Sequence, residues 1–168
     1  ECLVFARKMS HIELNKPFYL KSSNRYKKQD YMNNPREDFI LAIKEKIDDL
    51  RKSCWSYLGV SRNNKSMVNL LMTLRNDIDQ LKIHPLLKSL EKIEIHQELK
   101  LSEPNRRGLN LLLDLRNRQT TTLLLLKSCL FRKESRGGHY RDDYPAKDIT
   151  WKCHTRQQLN KKISKRFI

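Results

Sequence analysis

Residues 105–133, with the sequence NRRGLNLLLDLRNRQTTTLLLLKSCLFRK, form the longest run of helix-forming residues in this chain. The run follows Ser102, Glu103 and Pro104, a start signal in which a capping residue precedes an acid and a proline. An unbroken helix of this length extends for about 43 Å. Its apolar residues recur at helical spacing and predict that the following positions are buried: Leu109, Leu112, Leu115, Leu123, Leu126 and Leu130.

Two further amphipathic segments precede this helix. The first begins at Asn34 and Pro35, with Glu37 in the place of a capping-box acid, and ends near residues 57–59. Its apolar stripe consists of Phe39, Ile43, Ile47, Leu50 and Cys54. The second begins after a predicted cap at Ser66, and its stripe consists of Met67, Leu70, Leu71, Leu74, Ile78 and Leu81. Pro85 interrupts the pattern, which predicts either a kink or a separate helix that contains Leu86, Leu87, Leu90 and Ile93.

Three amphipathic helices joined by polar connections predict an all-α fold. We expect a three-helix up-down-up bundle, similar to a spectrin repeat, over residues 35–133. Residues 1–12 predict a short N-terminal helix, residues 13–34 an extended connection, and residues 134–168 an interface loop with an irregular C-terminal extension. Alternation of period two is almost absent, so we expect no substantial sheet, and short strands only near Val4 or residues 151–153.

A polar run, FRKESRGGHYRDDYP at residues 131–145, follows the longest helix. It combines charges of both signs with aromatic residues and glycines, which neither a disordered linker nor a solvated helix face does. We expect Gly137 and Gly138 to end the helix in a left-handed turn. We predict that the run makes a structural, interdomain contact through Glu134, Arg136, His139, Tyr140, Arg141, Asp143 and Tyr144.

Within this run we expect carboxylates or carbonyl oxygens to hold Arg136, with Tyr140 and Tyr144 covering it. His139 and Tyr140 could instead act as an acid–base pair, but such residues after a helix end more often make structural hydrogen bonds. A dinucleotide-binding glycine turn is absent, since the only glycines are Gly59, Gly108, Gly137 and Gly138. No Ser–His–acid or Cys–His order stands out either, so the residues themselves show neither a catalytic nor a cofactor-binding motif.

The composition is strongly basic, with 35 Lys and Arg residues, 19 Asp and Glu residues and a net charge of +16. Such a charge raises a basic helical nucleic-acid-binding module as an alternative. The basic residues are scattered, however, and acids stand between most of them, which is typical of a solvated surface. Only residues 161–166 form a concentrated basic cluster, and terminal clusters of this kind are often disordered. We expect no nucleic-acid partner.

The four cysteines show no metal-ligand spacing. We expect Cys2, Cys54, Cys129 and Cys153 to be small buried thiols of a reducing compartment, and no metal at Cys153, His154 and His139. Trp55 and Trp151 are expected to anchor the core or an interface. No apolar run is long enough to span a membrane, and no secretory signal begins the chain, so we expect a cytoplasmic protein without a membrane partner.

Several segments together carry a resemblance to a known family. They are RKESRGGHYRDDYP at 132–145 with WKCHT at 151–155, ECLVF at 1–5, LRKSCW at 50–55 with GVSR at 59–62, and LDLRN at 113–117. In this order along the chain they resemble the C-terminal helical domain of the flavoproteins that include succinate dehydrogenase and fumarate reductase. Tyr140 after His139, and the short tail after residue 155, are similar to the L-aspartate oxidase branch.

The resemblance implies a fragment of an FAD-dependent oxidoreductase. Residues 1–12 would end a helix of a preceding FAD-binding domain, and the partners would be the FAD-binding and capping domains of the same polypeptide. The L-aspartate oxidase branch oxidises L-aspartate to iminoaspartate for quinolinate and NAD biosynthesis; a succinate dehydrogenase or fumarate reductase flavoprotein is the alternative. FAD and the catalytic residues would then lie outside residues 1–168, and we expect the isolated chain to be an inactive monomer.

Overall fold

The computed structural model describes residues 37–93 and 101–167. These residues form the helices α1 (Glu37–Leu58), α2 (Asn64–Lys82), α3 (Pro85–Glu91) and α4 (Glu103–Phe131). They also form the short strands β1 (Ser61–Arg62), β2 (Tyr140–Arg141), β3 (Cys153–Arg156) and β4 (Ser164–Phe167), and a 3-10 turn at Ile149–Trp151. The predominantly helical fold is confirmed. The predicted N-terminal helix, the connection at 13–34 and the Asn34–Pro35 cap lie outside the described residues.

Helix α2 begins one turn earlier than the sequence predicts. Asn63 has an extended backbone, and its Oδ1 accepts a hydrogen bond from the backbone N–H of Ser66 at 2.9 Å. The predicted cap at Ser66 is therefore wrong, because Ser66 supplies the donor and Asn63 the capping oxygen. Both residue types favour this position, so the pattern alone could not distinguish them.

Helix α3 is a separate helix and not a kinked continuation of α2. Helix α2 ends at Lys82, and Pro85 occupies the first position of α3, where its missing N–H leaves no hydrogen bond unmade. His84 caps α3, since its Nδ1 accepts from the backbone N–H of Leu86 at 3.3 Å. The imidazole of His84 also stacks on Phe39 of α1, with the ring centroids 5.1 Å apart.

The apolar stripes meet in two core clusters. One cluster contains the buried residues Ile43, Leu86, Leu87, Leu109, Leu112 and Leu115. The other contains the buried residues Leu58, Met67, Leu70, Leu74, Leu126 and Cys129. Helix α4 contributes to both, so the stretch of sequence that predicts the longest helix also connects the two halves of the core. Of its predicted core positions, only Leu123 and Leu130 are partly rather than fully buried. None of the described helices is both long and apolar enough to cross a membrane.

The segment after α4 is more regular than predicted. Strand β3 pairs antiparallel with β4, with Cys153 opposite Phe167 and Arg156 opposite Ser164. Strand β1 pairs in parallel with β2. The structure therefore corrects the expectation of an irregular extension over residues 134–168. Part of the basic cluster at 161–166 belongs to β4. These strands have two to four residues, which is too short for alternation to be read from the sequence.

Helix α4 ends before the glycine pair. Its last residue is Phe131, and Arg132 has left the helical conformation, with φ −81° and ψ 110°. The expectation that Gly137 and Gly138 end the helix is therefore wrong. They instead form a tight turn between Arg136 and His139, which exchange two backbone hydrogen bonds of 2.8 and 3.0 Å. Gly137 adopts the left-handed conformation in this turn, with φ +57°.

Candidate functional site

A fully buried carboxylate, that of Glu134, lies just after the end of α4. Its Oε1 accepts hydrogen bonds from Nε and Nη2 of Arg132, at 2.9 and 2.6 Å, and from Nε of Arg136 at 3.0 Å. Its Oε2 accepts from Nε of Arg136 and from the backbone N–H of Asp148, both at 3.1 Å. Burial raises the pKa of Glu134, but these donors outweigh it and bring the pKa from 4.5 down to about 2. Glu134 is therefore a permanent anion near neutral pH.

The guanidinium of Arg141 caps the C-terminal end of α4. The side chain is 1% exposed, and its Nη1 donates to the carbonyl oxygens of Cys129, Leu130 and Arg132, at 3.0, 3.3 and 3.2 Å. The last carbonyls of a helix have no partner within the helix, and they form the negative end of its dipole. A buried cation that satisfies three of them therefore gives α4 a fixed end.

Asp143 connects this cap to the beginning of α2. Its two carboxylate oxygens accept from Nε and Nη2 of Arg141, the former at 2.7 Å, as a bidentate pair. Its Oδ2 also accepts from the backbone N–H of Asn64, the first residue of α2, at 3.2 Å. The hydrogen bonds of Arg141 lower the pKa of Asp143, and burial opposes them. The ring of Tyr144 covers Arg141 at 4.8 Å.

Arg62 connects the same region to the end of α1. Its Nε donates to the carbonyl oxygen of Leu58, the last residue of α1, at 3.0 Å. Its Nη1 donates to the carbonyl oxygen of Gly138 at 3.1 Å and lies 3.3 Å from Nδ1 of His139. The backbone carbonyl of Arg62 also accepts from the N–H of Asp142 at 2.9 Å. One arginine thus joins a helix end to the glycine turn.

Both ring nitrogens of His139 have a partner. A guanidinium can only donate, so Nδ1 accepts from Arg62, and Nε2 carries the hydrogen and donates to the carbonyl oxygen of Arg132 at 3.4 Å. Burial lowers the pKa of His139; the hydrogen bond to Arg132 opposes this, and the charges of Arg62, Arg132 and Arg141 lower it further. His139 is therefore held neutral in a single tautomer.

We name this set of side chains the polar junction: Arg62, Arg132, Glu134, Arg136, His139, Arg141 and Asp143. It joins the C-terminal ends of α1 and α4 to the N-terminal end of α2. Five of its members are among the predicted site residues, and the structure brings those five together. The two predicted tyrosines, Tyr140 and Tyr144, lie at its exposed edge.

One detail of the junction differs from the sequence prediction. Arg136 is held by Glu134 and by the carbonyl oxygen of Asp148, at 3.0 Å, but the expected cover is wrong, because Tyr144 lies over Arg141. Among the described arginines Arg141 is the most buried, because its guanidinium reaches back to the end of α4.

Sequence reasoning missed several members of this site. Arg62 is distant in sequence, and Arg132 resembled an ordinary basic residue at a helix end. Ser135 is buried, and its Oγ donates to the carbonyl oxygen of Tyr144 at 2.7 Å and accepts from the N–H of Arg141 at 2.9 Å. The density of arginine around one glutamate and two aspartates was the available signal for Arg132. The signal for Arg62 was its place in the segment GVSR at 59–62, which contributes to the resemblance but does not indicate the partners of Arg62.

The junction has little capacity for chemistry of its own. A carboxylate with a pKa of about 2 is a weak base, and a histidine with both nitrogens engaged has no free site for proton transfer. Among residues 37–93 and 101–167, no group of three or more His, Cys, Asp and Glu side chains could hold a metal ion. Cys129 and Cys153 are buried free thiols, and burial raises the pKa of Cys129. The geometry is that of a structural clamp.

Comparison with known proteins agrees with the resemblance in the sequence. The family described as "Fumarate reductase flavoprotein C-term" matches residues 47–166. An L-aspartate oxidase of Synechocystis sp. is 28% identical over 159 residues, which cover 92% of this chain and 28% of that protein. A fumarate reductase (CoM/CoB) subunit of Methanothermobacter marburgensis is 30% identical over 123 residues, which cover 72% of this chain and 19% of that protein.

A third relative, an L-aspartate oxidase of Pseudomonas aeruginosa, is 32% identical over 109 residues, which cover 65% of this chain and 16% of that protein. The chain therefore spans less than a third of the length of each of these relatives. No solved structure matches it. The family match includes all of the polar junction, and the chain belongs to the succinate dehydrogenase and fumarate reductase flavoprotein family, whose C-terminal helical domain it matches.

Proposed function

We propose that this chain is the C-terminal helical domain of an L-aspartate oxidase. Such an enzyme uses FAD to oxidise L-aspartate to iminoaspartate, for quinolinate and NAD biosynthesis. The observation that carries this proposal is the extent of similarity: a protein named L-aspartate oxidase aligns with 92% of the chain, against 72% for the fumarate reductase subunit. A succinate dehydrogenase or fumarate reductase flavoprotein is the alternative. Like the whole enzyme, the domain is expected in the cytoplasm.

In this proposal the domain is structural and not catalytic. The carboxylate of Glu134 and the imidazole of His139 in the polar junction are fully engaged in hydrogen bonds within the chain. FAD and the catalytic groups belong to other parts of the whole polypeptide.

The grouping of core residues supports an up-down-up bundle over residues 35–133. Near its beginning, α1 contributes Ile43 to the cluster that contains Leu109 from the beginning of α4. At its end, α1 contributes Leu58 to the cluster that contains Met67 from the beginning of α2 and Leu126 from the end of α4. In this proposal α1 and α4 run in one direction and α2 in the other.

An exposed apolar surface supports the proposal that other domains dock on this chain. Trp55, Val60 and Leu125 are 79%, 81% and 48% exposed, although Trp55 was expected to anchor a core or an interface. Trp55, near the C-terminal end of α1, and Leu125, on α4, line a groove together with Arg51 and Lys52, and Val60 lies two residues after α1. Large apolar side chains left in water commonly mark an interaction surface. We propose that the FAD-binding and capping domains of the same polypeptide cover both this surface and residues 134–168.

The experiment that tests the function uses the whole gene product. The coding sequence of this chain is expressed together with any sequence in frame before Glu1, and the purified protein is assayed for bound flavin and for L-aspartate oxidation. We expect flavin and aspartate-dependent formation of iminoaspartate. Flavin with succinate oxidation and no activity on L-aspartate would support the alternative branch. A product without flavin and without either activity would contradict the proposal.

The surface is tested in the same whole protein. Trp55→Glu places a charge on the proposed interface, whereas Met72→Glu places one at another exposed apolar position, on α2. We expect Trp55→Glu to weaken flavin retention on heating and Met72→Glu to leave it unchanged. Equal behaviour of the two variants would contradict the proposed docking surface.

A further inference from the structure

A cationic groove of about 500 Å³ lies beside the polar junction, between the last turns of α4 and strand β3. Its lining includes no aspartate or glutamate among the described residues, although the chain contains 19 such residues. Its basic side chains are Arg132, Arg136, His139, Lys152 and His154. Ser128 and Thr155 add hydroxyl groups on the two sides. The groove therefore offers hydrogen-bond donors and positive charge, and no competing anion.

Several of these donors are unused within the described part of the chain. Arg136 directs Nε to Glu134 and Nη2 to the carbonyl oxygen of Asp148, which leaves Nη1 without a partner there. The side chains of Lys152 and His154 likewise make no hydrogen bond or ion pair with described residues. Lys152 precedes β3, and His154 lies in it, so one short segment contributes both. The unused donors thus come from the junction and from the strand.

The carboxylates near the groove do not neutralise all of its positive charge. Glu134, the nearest carboxylate, is fully buried, and its oxygens are occupied by Arg132, Arg136 and the N–H of Asp148. Glu134 and Asp148, whose carboxylate also interacts with the charge of Arg136, offset at most two of the three positive charges on Arg132, Arg136 and Lys152. Arg166 of β4 pairs in register with His154, so the two side chains lie on the same face of this strand pair.

We propose that this groove binds a small oxyanion with two negative charges, either phosphate or a dicarboxylate. Guanidinium and ammonium groups are the donors that such anions bind, and a guanidinium edge with a free Nη1 next to a lysine supplies them at one place. The inference uses only residues of this chain and does not depend on the proposed oxidase activity.

The test is a titration of the 168-residue chain, labelled with ¹⁵N, with inorganic phosphate and, separately, with succinate, at constant ionic strength set by sodium chloride. We expect saturable shifts of the backbone signals of residues 152–155 and of Arg136. Saturation by phosphate alone would identify a tetrahedral anion, and saturation by succinate alone a dicarboxylate. Absence of saturable shifts with both anions would overturn the proposal.

A matched pair of variants separates the groove from the overall positive charge. Lys152→Ala removes an exposed cation from the groove, and Lys44→Ala removes an exposed cation from the first half of α1, away from it. We expect Lys152→Ala to weaken binding about fivefold or more, the size of one charged contact, and Lys44→Ala to leave it unchanged. Equal weakening by both variants would show binding to net charge alone and would overturn the proposal.

Discussion

The helices α1 to α4 and the polar segment 132–148 are stabilised by opposite means. The helices meet through leucine, isoleucine and methionine side chains in two dry clusters, and their ion pairs, such as Arg118 with Asp114, lie on the surface. In the polar segment the ion pairs themselves are buried, as for Arg132 with Glu134. Apolar contacts are non-directional and tolerate exchange, whereas each buried charge depends on particular partners.

This difference explains where the family resemblance is most specific. In the helices many apolar sequences satisfy the same stripe, so only the pattern needs to persist. In the polar junction Glu134 needs both Arg132 and Arg136, and Arg141 needs the exposed carbonyls of one helix end. The segment whose buried charges depend on particular partners is thus also the longest of the segments that carry the resemblance.

The largest expected effect comes from breaking the centre of the polar junction. Glu134→Gln keeps the shape of the side chain but leaves Arg132 and Arg136 without their shared anion. Removing one partner of a buried pair commonly costs about 3–5 kcal/mol, so we expect a loss of this order in the free energy of unfolding. Chemical denaturation of the purified chain measures it.

A surface pair and the pH provide controls for this prediction. Asp114→Asn breaks the exposed pair with Arg118, and we expect a loss below about 1 kcal/mol. Because the pKa of Glu134 is lowered from 4.5 to about 2, its contribution is complete above pH 4.5 and is lost as the pH falls towards 2. The difference between wild type and Glu134→Gln should therefore shrink over this range. A difference independent of pH would contradict the assignment.

The matching change in the helical segment is Leu126→Ala. Leu126 is 0% exposed and lies in the second core cluster, so truncation leaves a cavity, and we expect a loss of about 2–5 kcal/mol. Leu125, the preceding residue of α4, is 48% exposed, so Leu125→Ala should have a much smaller effect. Thermal unfolding of both variants tests the prediction, and similar losses would show that α4 is rotated from the described position.

A smaller effect is expected from the neutral state of His139. Its pKa in the folded chain lies below its ordinary value of 6.5, so the unfolded chain binds more protons as the pH falls below that value. The contribution of His139 to stability is thus present above pH 6.5 and decreases at lower pH. Protonation would place a hydrogen on Nδ1, where Arg62 now donates, and add a charge beside Arg132 and Arg141.

His139→Gln should accordingly flatten the decrease in stability between about pH 7 and pH 5. Burial also lowers the pKa of His84. The titration of His84 therefore accounts for the decrease in stability that remains in this variant. The matched control is His154→Gln, because the side chain of His154 is exposed and has no described partner. Denaturation midpoints at several pH values provide the measurement. An unchanged slope in His139→Gln would mean that His139 does not titrate in this range.

The sequence predicted the helical region better than the polar one, for a physical reason. Helical periodicity is local, so the stripes that contain Ile43, Leu74 and Leu112 can be read directly from the chain. The existence of a structural cluster at residues 134–144 could also be predicted, from its unusual composition.

The partners within that cluster could not be predicted, because they depend on how the helix ends meet. Arg62 reaches Gly138 and His139 only because α1 and α4 end at the same place in the fold. The end of α4 was also misplaced, since a glycine pair is typical of a helix stop and of a tight turn alike. Long-range contacts decided between these two interpretations.

The smallest predicted effect concerns that turn and uses its two neighbouring glycines. At both Gly137 and Gly138 an added Cβ meets no atom within 4 Å, so crowding is excluded at each. Only Gly137 is left-handed, with φ +57°, a conformation that disfavours residues with a Cβ. We expect Gly137→Ala to destabilise the chain by about 1 kcal/mol, while Gly138→Ala is neutral or slightly stabilising, because alanine restricts the unfolded chain. Denaturant titrations of both variants decide the point. Equal losses at the two positions would mean that the turn relaxes as a unit and that the left-handed residue does not determine how the polar junction closes.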